Sequence, residues 1–199
     1  MLSTGAARIY GFGEPWEWER QWLLVVLRVP EQRREIRHHV RTRLAWAGFG
    51  SMGGGLWITP HVEREGELTE MAGDGAVAEL LSFRAELGTV GDPSRLIADA
   101  WDLDQVAGAY DDFVAQFGRL RPKTPEAVFR AQTLLVHAWR KFPFLDPDLP
   151  AELLPRGWPL ERAHDVFHER HGRWHEAAQD YFRSLETLGE AAAGRRRAA

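Results

Sequence analysis

The chain of 199 residues contains no cysteine, which excludes disulfides, thiolate-bound zinc and a thiol nucleophile together. Lysine is nearly absent too: Lys123 and Lys141 are the only two among 25 basic residues. Arginine carries the rest, and its planar fork suits phosphate, carboxylate and flat aromatic partners better than lysine's point charge does. Long hydrophobic runs are missing. The longest, Trp22 to Leu27, falls far short of the roughly 20 apolar residues of a spanning helix, so no membrane span is expected. No basic and apolar leader opens the sequence, which makes the cytoplasm the expected location. Tryptophan, by contrast, is abundant, with nine residues where average composition supplies about two or three. With 44% hydrophobic residues and a net charge of -4, the chain is expected to fold as one large domain or two small ones.

Hydrophobic patterning divides the sequence into two halves. The continuous run Trp22–Leu27, ended by Pro30, predicts a central strand covered on both faces. From Glu31 to Ala47 the apolar residues Ile36, Val40, Leu44 and Ala47 recur at helical spacing, and Gly48 stops the run. The segment 49–55 (FGSMGGG) predicts a hairpin tip before a strand at 56–59. A polar stretch from Val62 to Ala72 reads as a weak helix, and Leu81, Phe83, Ala85 and Leu87 alternate on one face of a last strand. That order predicts an α+β fold, a ferredoxin-like βαββαβ domain over 19–90. No strand signal follows. A helical connector is expected over 91–120, with Val106, Tyr110, Phe113 and Phe117 as its apolar stripe, and an all-helical C-terminal domain over 121–188. In that domain the five prolines between Pro143 and Pro159 allow only short turns, so this segment is expected to wrap a surface. A frayed tail is expected over 189–199.

Two patterns can carry chemistry. His164, His168, His171 and His175 lie at i, i+4, i+7 and i+11, on one side of the last helix and about 70° from its apolar stripe. Such a row is either a boundary row bonded to carbonyls and carboxylates or part of a metal shell that one helix cannot close. The second pattern is the basic face Arg33, Arg34, Arg37 and Arg41, with Arg28 and Arg43 nearby. It is either a phosphate- or partner-contacting surface or a solvated face paired with Glu31 and Glu35. The glycines at 53–55 lack the Gly-Lys-Ser/Thr sequel of a phosphate loop, and no Gly-x-Ser-x-Gly occurs. Asp102, Asp104, Asp111 and Asp112 sit at helix starts and outer faces. No enzyme motif, metal site or cofactor is expected.

Three stretches have a specific family likeness. VVLRVPEQRREIRHHVRTRLAWAGFGSMGGGLWITPH, within Trp22 to His61, resembles the middle domain of PaaX-type transcriptional regulators, which is similar to the Cas2 fold. WDLDQVAGAY (101–110) and HAWRKFPFLDPDLPAELLPRGW (137–158) resemble later segments of the same family. The opening GAARIY (5–10) resembles the exit from that family's winged helix-turn-helix domain, so residues 1–18 are expected to be a linker.

The resemblance implies a repressor that dimerises, senses a CoA thioester (phenylacetyl-CoA for the founding family) and contacts operator DNA through an N-terminal winged helix missing from this sequence. A CoA thioester needs basic groups for its phosphates and an aromatic pocket for its acyl end. The expected effector-binding residues are Trp139, Arg140, Trp158, His164, His168 and His171. Trp139 and Trp158 are equally readable as core. The Cas2 likeness supplies an alternative, a metal-dependent nuclease. Such nucleases carry an acidic residue at the end of the first strand, where this sequence has Arg28, and arginine cannot ligate magnesium. A protein-interaction module without a ligand is the third class.

Overall fold

The fold turns on β1 (Gln21–Arg28), whose alternating side chains sort to two faces of a four-stranded antiparallel sheet. The computed structural model describes residues 12–13, 16–30, 33–73 and 79–197, so most of the expected linker and the first helical residues, 31–32, lie outside the described residues. By contact, the chain forms two compact units: residues 1–106 with 142–158, and residues 107–141 with 159–199. The proline-rich segment thus groups with the sheet, and the boundary between the units falls inside a helix.

In the first unit, β1 is followed by α1 (Arg34–Trp46), β2 (Gly50–Gly53), β3 (Leu56–Thr59), α2 (Glu65–Gly73) and β4 (Glu79–Glu86). The strand order is β2-β3-β1-β4. Leu23, Val25 and Leu27 point to one side, where Val40 and Leu44 of α1, Phe49, Trp57 and Leu68 of α2 complete a buried core. On the glycine turn between β2 and β3, the Leu27 N–H donates to the Gly55 carbonyl (2.8 Å). A Cβ on Gly55, which has φ +87°, would fall on the Leu27 carbonyl oxygen, so only glycine permits this approach.

The expectation that β1 is covered on both faces holds only in part, for on the second face Trp22 is buried against Trp101 but the cover does not continue. Its second face carries Leu24 and Val26, both half-buried, and their register partners on β4 are Phe83 and Leu81. Those two are 53% and 43% exposed. The predicted apolar alternation on β4 is real, but its parity turns that face away from α1 and α2; Ser82 and Arg84 face the helix side and bond Glu65. Part of the second face is covered near β2, where the Trp101 ring lies over Gly50 and its Nε1 donates to the Gly48 carbonyl (3.2 Å).

The helices start where capping chemistry places them. Asp92 accepts from the Ser94 N–H ahead of α3 (Pro93–Ala100), and Asp102 from the Gln105 N–H at the start of α4 (Leu103–Phe117). Thr124 accepts from the Ala127 N–H ahead of α5 (Pro125–Trp139). Pro93 and Pro125 occupy first-turn positions, where a missing N–H costs nothing. The expected stripe on α4 is fully realised: Val106, Tyr110, Phe113 and Phe117 are all buried. α5 ends at Trp139, before the predicted stripe reaches Phe142, and Phe142–Leu145 forms a separate single turn, α6. The last helix, α7 (Leu160–Arg197), continues beyond the expected end at Leu188 and through most of the tail expected to fray.

In the second unit α5 packs along α7 around an aromatic ladder. Trp139 stacks on Phe167 with centroids 4.5 Å apart, and Phe113 leans on Trp139 at 5.5 Å. Arg170 is buried and donates to the Gly118 carbonyl, which ties α7 to the end of α4.

Candidate functional site

The basic residues of α1 do not form one surface. Arg37 and Arg41, one turn apart, line a cavity of about 410 Å³ together with Arg28 at the end of β1, Ser51, Trp57 and the glycine turn 53–55. Among the described residues, no carboxylate belongs to this lining. Arg41 lies over the Trp57 ring, 5.9 Å from its centroid, a distance at which a guanidinium is attracted to the ring face. Arg37 Nη2 leans toward the Val29 carbonyl at 3.4 Å. Among the described residues, neither Arg37 nor Arg41 has an ion-pair partner. Arg34 faces a different, shallow depression with Glu35, His38, His39 and Thr42. Arg33 precedes the helix, its carbonyl accepting from the Arg37 N–H (3.0 Å). Of the four predicted contact residues, the structure therefore brings two together and separates the other two.

The histidine row of α7 has a different setting. His164 and His168 lie with ring centroids 4.1 Å apart, and His171 and His175 at 4.9 Å. Phe167 adjoins His168 at 5.3 Å and His171 at 5.4 Å, while Trp139 meets His164 edge-on at 6.1 Å. His171 is held below its ordinary pKa of 6.5, first by burial and then by His175 and His168. Trp139 is buried, edge-on to half-buried His164. Arg140 is exposed at the end of α5. Trp158 is half-buried and belongs to the sheet-bearing unit, whereas the other five expected effector contacts belong to the helical unit. Among the described residues, no group of three or more His, Cys, Asp or Glu is placed to hold a metal ion.

Sequence reasoning missed two arrangements. Ser51 and Trp57 join the arginines only because the β2–β3 hairpin folds back beside the end of β1. The hairpin itself, without a phosphate-loop motif, supplies the wall. His61 is also buried, its Nδ1 3.0 Å from Glu63 Oε1 and its Nε2 2.8 Å from the Asp148 carbonyl. It fastens the proline-rich segment to the end of β3, and a lone histidine gives no sequence signal of such a role. Of the four aspartates expected at helix starts and outer faces, Asp102 caps α4 and Asp111 pairs with Arg162.

A sheet domain followed by a helical C-terminal region defines a two-part α+β architecture, and each part matches a known family domain. The PaaX protein central Cas2-like domain matches residues 15–97, and the PaaX-like protein C-terminal domain matches residues 101–184. The chain belongs to the PaaX-type family of transcriptional regulators. A curated relative, the transcriptional repressor PaaX of Escherichia coli (strain K12), is 28% identical over 169 residues, covering 79% of this chain and 52% of the relative. The chain thus spans about half the length of that relative. A solved structure, the uncharacterized protein Rv0674 from Mycobacterium tuberculosis, aligns with a TM-score of 0.63 at 19% identity, covering 89% of this chain and 69% of the other. That likeness concerns the fold alone. Among the described residues no helix is long and apolar enough to cross a membrane.

Proposed function

We propose that this chain is the effector-sensing and dimerisation portion of a PaaX-like transcriptional repressor that responds to an aryl-CoA thioester such as phenylacetyl-CoA. Operator DNA is contacted through a winged helix-turn-helix domain of the kind the family carries, and the domains described here pass effector occupancy to it. The observation that carries this reading is the match of both regulator domains in sequence order, beside a relative that is a repressor. The element order β1-α1-β2-β3-α2-β4, with strand order β2-β3-β1-β4, supports the ferredoxin-like, Cas2-like reading of the first domain.

The acyl end of the effector is assigned to the aromatic side of the helical unit, through Trp139, His164, His168 and His171 with Arg140 as the nearby cation. Trp158, in the other unit, is tested alongside them. Dimerisation is assigned to the open face of the sheet, where exposed Leu81 and Phe83 continue half-buried Val26 and Leu24 and where β4 is an edge strand. A two-fold axis beside such an edge pairs the same patch of both copies.

Titrating the full chain with phenylacetyl-CoA, phenylacetate and free CoA, followed by heat and tryptophan fluorescence, tests the sensor reading. Saturable binding of the thioester, weakened by His164→Ala or Arg140→Ala, supports it; no binding at millimolar ligand removes it. Light scattering tests the dimer, which Phe83→Glu should convert to monomer.

A further inference from the structure

We infer that the arginine cleft beside the glycine turn is a binding site for the phosphate groups of a small molecule, a phosphate ester or anhydride of nucleotide size. The inference is independent of which effector the helical unit senses. It rests on the shape and chemistry of one cavity in the sheet-bearing unit.

Its volume, about 410 Å³, lies in the range of small-molecule sites. Three arginines line it, with no carboxylate among its described lining residues, in a chain whose net charge is -4. A solvated basic face would intersperse acids at helical spacing, and the acid that does follow Arg34 on α1, Glu35, lines the other depression instead. Arg37 and Arg41 are one helical turn apart, so their forks can converge on neighbouring phosphate oxygens. Arg41 is oriented beforehand by the Trp57 ring, and Trp57 is itself fixed in the core. This lowers the entropy lost when a ligand arrives. Ser51 supplies a hydroxyl on the opposite wall. Gly53 and Gly54, also in the lining, have φ of +81° and +60°, so glycine lets the turn close beside the arginines without backbone strain.

A phosphate ester fits this set better than a carboxylic acid. Two forked donors and a hydroxyl offer more hydrogen bonds than one carboxylate can accept without leaving donors unsatisfied, whereas a phosphate presents three oxygens. A nucleotide's diphosphate and free inorganic pyrophosphate share this chemistry, and both are used as probes.

The experiment is calorimetric titration of the full chain, at low salt, with inorganic pyrophosphate and with adenosine diphosphate. It is repeated on Arg37→Ala/Arg41→Ala and on Arg33→Ala/Arg34→Ala. The second variant removes equal charge from the same helix outside the cleft. Binding that falls at least about tenfold in the first variant and stays within about twofold in the second is the expected result. Equal affinity for the two probes means that the phosphates alone are read, and tighter adenosine diphosphate means that the organic part is held as well; both support the site. Arg37→Ala alone, which leaves the Arg41–Trp57 contact intact, should still weaken binding if the double variant unfolds. The inference is overturned if neither probe binds, if both double variants lose affinity equally, or if the cleft variant binds as the wild type does. It is also overturned if duplex DNA binds through Arg37 and Arg41 while neither small probe does, for the cleft would then be a nucleic-acid contact.

Discussion

Two helices of this chain carry a row of basic side chains at the same i, i+4 spacing, and the two rows have become different objects. On α1, Arg37 and Arg41 stand over a cavity whose far wall is a glycine turn and a serine, and the one aromatic ring nearby serves to aim a guanidinium. On α7, His164, His168, His171 and His175 interleave with Phe167 and lie within ring contact of one another. One row meets open space lined by donors; the other adjoins a packed aromatic ladder. Helical periodicity aligns residues on a side, but what stands opposite that side decides which kind of partner they can meet.

Substitution should separate the rows most clearly in stability. Trp139 is buried between Phe113 and Phe167, so Trp139→Ala is expected to lower the unfolding free energy by about 3–5 kcal/mol. Urea denaturation followed by circular dichroism measures this. A loss under about 1 kcal/mol would show that the ladder beside the histidines is loosely packed, and the contrast with α1 would then fail. Arg170→Ala comes next. It strips the Gly118 carbonyl of a buried cationic donor and should cost about 2 kcal/mol in the same assay. Arg170→Lys, which cannot reproduce the fork, is expected to recover only part of that loss.

Much of this was legible in the residues. Trp22 to Leu27 announced a central strand because nothing polar interrupts it, and Pro93, Pro125 and their capping neighbours marked helix starts. What could not be read was which side of an alternating strand would be covered. The residues 80–86 carry apolar groups at 81, 83 and 85 and polar ones at 82 and 84, a pattern that normally turns its apolar side to the helices; pairing register with β1 turned it outward instead. The candidate site was half legible for the same reason. Arg37 and Arg41 follow from spacing on one helix, but Ser51 and Trp57 reach them through the hairpin's return, a tertiary event with no local signature. His61, far in sequence from Asp148, is likewise invisible before the chain folds.

Acid should distinguish the two rows by a smaller margin. His171 is held below its ordinary 6.5, so the folded state takes up a proton less readily than the unfolded chain does. Its contribution to stability is therefore complete above about pH 6.5 and is lost as pH falls through the lowered value. The melting temperature should drop on the order of 1–3 °C more between pH 7 and pH 5 in the wild type than in His171→Gln. Glu63 and Glu65 are held below 4.5, so the stability they lend disappears only at lower pH and leaves this window clear. Identical slopes for wild type and His171→Gln would mean that the row is fully solvated, and the distinction drawn between the helices would lose its electrostatic half.

The smallest expected change is the most telling one. Among the described residues the Arg37 side chain is not paired with a carboxylate, and its hydrogen bond to the Val29 carbonyl, at 3.4 Å, is long. Arg37→Ala should therefore move the unfolding free energy by less than about 0.5 kcal/mol. A residue that contributes so little to the fold, yet stands with two other arginines over a cavity with no acid among its described lining residues, is free to be spent on binding. If Arg37→Ala instead destabilised the chain as much as Arg170→Ala does, the cleft arginines would be structural like their counterpart on α7, and the difference between the two helices would reduce to exposure alone.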